Sequence, residues 1–333
     1  MSPVAPLRRR RVVAVAALST VLALGGCADA PSTAPPLAAS AVASAHLNQL
    51  LGYMQQNALR RLVINWTAFR DTVATAARTA QTIPETYPAV LEALRMLGDG
   101  HSSYQIAGGG TLSVPTRTCV SSGAPTPTVP LNVGYVRVGS FGGSGSAATA
   151  FAESIQQAIR AQDRADLIGW IVDLRGNGGG NMWPMIAGLG PILGETLLGH
   201  FVHPTGTIDA WRYQNGASTL NGIDLVRVAA PYTLINPGSR VAVLVDNGVA
   251  SSGEATFIAF RGRPATRSFG ASTCGASTAN QGFGLSNGAT LILTTSLMAD
   301  RALTQYGNAV VPDEATVGPA ETVQKALVWL STP

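Results

Sequence analysis

Ser251, the glycines Gly179 and Gly180, and His101 have the types and spacing from which acyl transfer could be assembled. Ser251 lies in Val241 to Glu254, VAVLVDNGVASSGE. The β-branched run Val241 to Val245 reads as a fully buried strand, Asp246, Asn247 and Gly248 break it, and 250–260 reads as a helix. A side chain at such a strand-to-helix corner faces a cleft, and the first N–H groups of the helix point at whatever binds there. That suits a nucleophile. Ser251-Ser252-Gly253-Glu254 equally fits S-x-x-E, a capping box in which Ser251 caps the helix and Glu254 reaches back to its backbone N–H.

The run Ile171 to Gly180, IVDLRGNGGG, takes a buried strand directly into a glycine-rich turn and then a helix. Glycines there let backbone N–H groups approach a ligand closely, which suits an anion or an oxyanion. The Lys-Ser/Thr of a phosphate loop is missing, and a dinucleotide fingerprint would need glycine at Asn181 or Trp183. His101 sits in Leu97-Gly98-Asp99-Gly100-His101-Ser102-Ser103, where two glycines and an aspartate turn the chain after a helix. Histidine has the pKa that a serine needs in its general base.

Elements must hold these residues. From 42 to 97 the pattern is helical: Leu47, Leu50, Leu51 and Met54, then Tyr87, Val90, Leu91, Leu94 and Leu97, recur at spacings of three and four, with Trp66 and Phe69 as anchors between them. The Gly-, Ser-, Thr- and Pro-rich stretch 108–129 is too short for a further domain. Strands are expected at 133–141 and 166–173 and helices at 147–160 and 182–193, followed by a more irregular section, 196–240, with strand-like runs such as 223–228. A strand at 289–296 and an amphipathic helix at 322–330, with Val323, Ala326, Leu327 and Leu330 on one face, complete an α/β pattern with crossover connections.

Hydrophobic residues make up 46% of the 333 and charged residues 12%, with 37 Gly and 20 Pro, the composition of a loop-rich globular protein rather than a disordered one. Arg8 to Arg11 account for the net charge of +4, so no basic patch argues for nucleic acid. That run is the positive region of an export signal, Val12 to Leu24 its apolar core, too short for a comfortable membrane span. Leu24-Gly25-Gly26-Cys27 resembles a bacterial lipobox, which implies a lipoprotein signal peptide over 1–26, diacylglycerol on Cys27 and a membrane-anchored place in the cell envelope or periplasm; an ordinary signal peptide is the other reading. Residues 27–40 then form a Pro/Ala/Ser tether, 41–100 a helical subdomain and 101–333 the α/β core. In an exported chain Cys119 and Cys274 are a candidate disulfide. No metal is expected: C-x-x-C and H-E-x-x-H are both missing, and His200 and His203, three apart in an extended run, face opposite sides. No cofactor is expected either.

Several motifs in the same order carry a resemblance. IVDLRGNGGG resembles the D-L-R-x-N-x-G-G signature of the tail-specific (C-terminal processing) serine peptidases, and VAVLVDNGVASSGE their nucleophile segment. Gly270 to Gly275 looks like the family's G-x-x-T-x-G-K-G loop, and Val311-Pro312-Asp313 like its late P-D motif. LGDGHSS, after a helix containing Tyr and Leu, is similar to the histidine-bearing loop of a branch related to the tricorn core peptidase. The better-known branch places a lysine after the loop glycine; Ala276 stands there, and the chain's single lysine is Lys325. The resemblance therefore implies a crotonase/ClpP-like core, an exported endopeptidase of unfolded or C-terminal protein segments, and Ser251 activated by His101. Ser252 with Gly179 or Gly180 would supply the oxyanion hole. For the acid that orients His101, Glu254, Asp313 and Glu314 are the candidates; Glu254 is one helical turn from Ser251, and its capping role explains it equally well. The PDZ domain of many family members does not fit between Ser102 and Pro130. A catalytically inactive, peptidase-like binding lipoprotein is the alternative, and a crotonase-like acyl-CoA enzyme is disfavoured by the export signal.

Overall fold

The β-branched run at 241–245 lies at the centre of a parallel sheet covered on both faces. The computed structural model describes residues 38–332. The expected signal peptide, Cys27 and the tether as far as residue 37 lie outside the described residues.

Helices α1 (Ala41–Asn57), α2 (Trp66–Ala76) and α3 (Tyr87–Leu97) come first. Strands β1 (Ser103–Gln105) and β2 (Thr111–Ser113) form a short hairpin, after which 114–130 run as a strap without helix or strand. Then β3 (Val133–Arg137), α4 (Gly145–Arg160), β4 (Gly169–Asp173) and α5 (Met182–Leu193) alternate. A meander follows, β5 (Thr196–Val202), β6 (Ile208–Gln214), β7 (Ala217–Leu220) and β8 (Ile223–Arg227). The chain returns through β9 (Arg240–Val245), α6 (Ser252–Ile258) and β10 (Thr266–Gly270). Strands β11 (Thr278–Gly284), β12 (Thr290–Asp300) and β13 (Glu314–Ala315) precede helix α7 (Gly318–Ser331).

The parallel sheet has the order β13-β10-β9-β4-β3. Side chains alternate between its faces, so Trp170, Val172, Val241, Val243 and Val245 pack towards α4, α5 and α6. Their neighbours Ile171, Ala242, Leu244 and Phe269 pack on Ala326 and Leu330 of α7. Burial of one such large aliphatic side chain contributes about 1.5–3 kcal/mol, and burial on both faces is why β4 and β9 read as continuous apolar runs. The crossovers β3-α4-β4 and β9-α6-β10 make this the α/β core of βαβ units that the alternation predicts.

The second sheet is antiparallel, in the order β2-β1-β12-β5-β6-β7-β8, with β11 also paired to β12. Helices α1 to α3 cover its β1 and β12 end: Leu47, Leu50, Met54, Phe69, Val90, Leu94 and Leu97 share one apolar cluster with Tyr104, Leu291 and Leu293. The apolar stripe of the helical segment is thus spent on this sheet.

Some elements differ from expectation. The strand expected to reach residue 141 stops at Arg137, and Phe141 makes an isolated bridge to Gly180. The section 196–240 that reads as irregular holds the four strands of the meander, and its expected strand-like run 223–228 corresponds to β8. Strand β11, TANQGFG, is partly exposed along its length and pairs only with β12, and no alternation of apolar residues announces it.

Cys119 and Cys274 are joined, with Cα atoms 5.1 Å apart. The bond fastens the strap across the ends of the parallel strands, where Val120 N donates to Asn247 Oδ1 at 3.0 Å and Ser122 N and Oγ donate to Asp246 Oδ2 at 2.7 and 2.6 Å. A crosslink between residues 155 apart removes much loop-closure freedom from the unfolded chain. Replacing both cysteines by serine is expected to lower unfolding free energy by about 2–4 kcal/mol, read from guanidinium denaturation curves of the two proteins under oxidising conditions.

Candidate active site

Ser251 follows the Asp246-Asn247-Gly248 turn at the end of β9 and stands immediately before α6. Its backbone has φ 53° and ψ −119°, a region that L side chains rarely adopt, at a cost of about 1–3 kcal/mol. Bonds on both sides maintain it. Ala250 N donates to Asn177 O at 3.0 Å and Ser251 N to Glu254 Oε2 at 2.9 Å. Asp246 Oδ1 accepts from Gly176 N at 2.8 Å and Gly248 N at 3.0 Å, which locks the two turns together. The helix begins at Ser252 rather than at Ala250 because the chain spends these residues on the corner.

The strained corner aims Ser251 Oγ at His101 Nε2, 3.0 Å away. His101 comes from the other side of the molecule, in the loop that follows α3. Gly98 ends that helix in a left-handed conformation, and Asp99 Oδ1 accepts from His101 N at 2.8 Å and Ser102 N at 2.7 Å. Gly100 has φ +62°, and a Cβ there would come within 2.1 Å of Thr116 Oγ1 of the strap. Asn280 of β11 donates to His101 O at 3.2 Å, and Thr294 N of β12 donates to Ser102 Oγ at 3.0 Å.

The imidazole's other nitrogen, Nδ1, lies 2.7 Å from the Thr278 hydroxyl at the start of β11. With the Nδ1 proton directed to that oxygen, the Nε2 lone pair faces Ser251, the tautomer a general base requires. Burial pushes the His101 pKa below its ordinary value of 6.5; the Asp99 charge opposes that shift and Arg117 adds to it. Thr278 went unnoticed in the sequence because it belongs to no motif there. The one available hint is its place a few residues beyond the Gly270 to Gly275 loop.

None of the three acids considered for His101 hydrogen-bonds to it. Glu254 is fully buried, and its Oε1 accepts from Thr273 Oγ1 at 2.5 Å and Gly275 N at 2.9 Å while Oε2 holds Ser251 N. Burial raises its pKa, against the pull of these donors. Asp313 accepts from Ser268 N and Oγ and pairs with Arg261 at 2.7 Å. Glu314 pairs with Lys325 at 2.9 Å and Arg267 at 3.2 Å. Each carboxylate is consumed in joining elements, and the group that meets His101 Nδ1 is Thr278 rather than any of the candidates Glu254, Asp313 and Glu314.

The glycine turn lies against the corner. A Cβ on Gly179 would sit 2.8 Å from Ala250 O and 2.9 Å from Ser252 N, and its φ of +100° independently demands glycine. Its own N–H donates to Asn177 Oδ1 at 3.0 Å and is thereby unavailable to a ligand, a correction to its expected place in the oxyanion hole. The N–H groups of Gly180 and Ser252 have no partner among the described residues, and Ser252 Oγ donates to Gly180 O at 2.7 Å, binding the two segments together. Gly180, Ser251 and Ser252 open on one cleft of about 440 Å³ that extends along α5, β5 to β8, β11 and β12. Among the described residues no group of three or more His, Cys, Asp or Glu side chains could hold a metal ion. His200 Nδ1 contacts Asp300 O at 2.9 Å and His203 Nε2 contacts Asp209 Oδ2 at 2.7 Å.

A family model described as peptidase family S41 matches residues 132–316. Over 272 residues the chain is 26% identical to the nisin-resistance protein of Lactococcus lactis subsp. lactis, covering 80% of each. Among solved structures it is similar to a lipoprotein from Streptococcus agalactiae, with 24% identity, a TM-score of 0.71 and coverage of 87% of this chain and 96% of that one. It is also similar to a putative peptidase from Parabacteroides merdae, at 17% identity, TM-score 0.58 and coverage of 88% and 98%. A photosystem II D1 C-terminal processing protease matches at 16% identity, TM-score 0.56 and coverage of 86% and 97%. At these identities the structural likeness is one of fold.

Glu254→Ala would strand the buried Gly275 N–H and Thr273 hydroxyl and the part-buried Ser251 N–H. The expected loss is roughly 3 kcal/mol or more of unfolding free energy, at the upper end for an uncompensated buried polar group, measured by urea denaturation against the unaltered protein.

Proposed function

Since the chain belongs to peptidase family S41, we propose that it is an exported, lipid-anchored serine endopeptidase that cleaves unfolded or C-terminal protein segments through a Ser251 acyl-enzyme. The observation that carries this reading is the 3.0 Å approach of His101 Nε2 to the hydroxyl of a serine held in a strained backbone. As Ser251 Oγ attacks the scissile carbonyl carbon, its proton passes to His101 Nε2 and the carbonyl oxygen becomes an oxyanion, received by the N–H groups of Ser252 and Gly180. Collapse breaks the C–N bond, and His101 returns the proton to the leaving amine. Water then attacks the acyl-enzyme with the same base, releasing the acid and restoring Ser251. Thr278 accepts from Nδ1–H, in place of a carboxylate, so that the Nε2 lone pair is free when each proton transfer begins.

The Ser-His pairing is the chemistry implied by the sequence resemblance to the tricorn-related branch. Export and the anchor at Cys27 draw support from the lipobox and from the likeness to a protein described as a lipoprotein. The hairpin and strap over 103–130 support a core that takes substrate without a PDZ domain before it. The relative named a nisin-resistance protein makes nisin a substrate to test.

A fluorophosphonate probe is expected to label the purified protein and to leave Ser251→Ala and His101→Ala unlabelled, with circular dichroism unchanged. An unaltered protein that stays unlabelled across the pH range would instead support the inactive, peptide-binding lipoprotein.

The base works only when neutral. Because burial lowers the His101 pKa, the neutral form persists as pH falls, and the acid limb of kcat/KM is expected below pH 6.5. Thr278→Val, which removes the acceptor for Nδ1–H, is expected to lower kcat roughly tenfold, while Thr278→Ser retains most of it; peptide hydrolysis followed against pH checks both.

A further inference from the structure

The cleft beside Ser251 carries a charge that the acyl-transfer steps do not use. Trp183, Phe201, Leu220 and Met298 contribute to its walls, and its ionisable lining side chains are His203 and Asp209, with no lysine or arginine. Asp209 stands on β6 directly across from Phe201 of β5. It shares a strand face with Trp211 and Tyr213, both buried in the main core. On packing grounds that face calls for another apolar residue, and a carboxylate there is costly. The fold nevertheless holds it charged and oriented: Asn221 Nδ2 donates to Oδ1 at 2.7 Å and His203 Nε2 meets Oδ2 at 2.7 Å, and these bonds keep its pKa below the usual carboxylate range. A quarter of the side chain, 25%, remains exposed.

We propose that Asp209 is a specificity-determining residue, selecting peptides that place a lysine or arginine side chain, flanked by apolar residues, in the cleft next to Ser251. This deepens the peptidase reading and rests on it. A basic side chain has the form this wall accepts: its aliphatic stem covers apolar surface such as Phe201 and Leu220, and its cationic head reaches a carboxylate already oriented by two neighbours. The one resident partner of Asp209 able to carry positive charge is the titratable His203, which bonds a single oxygen, Oδ2, so a permanent cation has to come from the substrate.

The test uses the full-length protein and two synthetic libraries of apolar-rich random peptides, identical except for a fixed central lysine or its uncharged isostere norleucine. Cleavage is followed with the active protein, and binding by fluorescence anisotropy with Ser251→Ala. The lysine library is expected to be cleaved and bound about fivefold better, the advantage of a half-screened ion pair, and Asp209→Asn is expected to bring that ratio close to one. Equal treatment of the two libraries by the unaltered protein, or a ratio that survives Asp209→Asn, overturns the proposal. It would then leave Asp209 as a staple between the turns of the meander. Lysine-selective binding without cleavage would defeat the peptidase reading while leaving the selection intact. Unselective cleavage would do the reverse, and a protein that neither binds nor cleaves either library would overturn both.

Discussion

One hydrogen bond, His101 Nε2 to Ser251 Oγ, is the contact on which the rest of the site depends. Its ends are 150 residues apart and reach it from different sheets: Ser251 from the end of the parallel strand β9, His101 from the loop that leads into the antiparallel strand β1. A contact of this kind does chemistry only if both ends are held before substrate arrives. The surrounding polar bonds do that holding. Asp246, Asn177 and Glu254 fix the serine corner, while Asp99, Asn280 and Thr294 fix the histidine loop.

The buried acids make a second pattern intelligible. Where several loops meet at the ends of parallel strands, backbone N–H groups lack the ladder partners they would have in regular structure, and each one buried unpaired is costly. Asp246 accepts from Gly176, Gly248 and Ser122; Glu254 accepts from Ser251 and Gly275; Asp173 accepts from Arg175 N and forms a buried pair with the Arg175 guanidinium at 2.6 Å. These carboxylates are committed to the frame. A neutral hydroxyl, Thr278, is what remains to meet His101, and it can accept a hydrogen bond from Nδ1 without placing another buried charge beside the imidazole.

The position where the resemblance leads one to look for a lysine shows the same economy of charge. Ala276 occupies it, packed in a small buried cluster with Ala250 and the Cys274 half of the disulfide. A crosslink and small side chains occupy the place next to Ala250, and the nitrogen that meets Ser251 comes from the loop after α3 instead. Membership of family S41 accounts for the core and the glycine turn; which side chain faces Ser251 follows from these local packings.

Much of this was legible in the chain itself, because it was written in short-range patterns. The apolar runs at 171–173 and 241–245, the helix at 182–193, the glycine turn, the serine corner and the histidine loop each follow from neighbouring residues, through burial of a face or the conformational needs of a turn. Of the meander, single runs such as 223–228 were legible but not their pairing, and β11 was not, since its partly exposed residues show no apolar alternation. Nor were Thr278 against His101, 177 residues apart, the capture of the Gly179 N–H by Asn177, or the placing of Asp209 on the cleft wall. Composition and local period determine which segments must be buried and where the chain must turn. Which hydroxyl, amide or carboxylate meets a given nitrogen is decided only when distant segments pack, because a hydrogen bond depends on tenths of an ångström that no local pattern encodes.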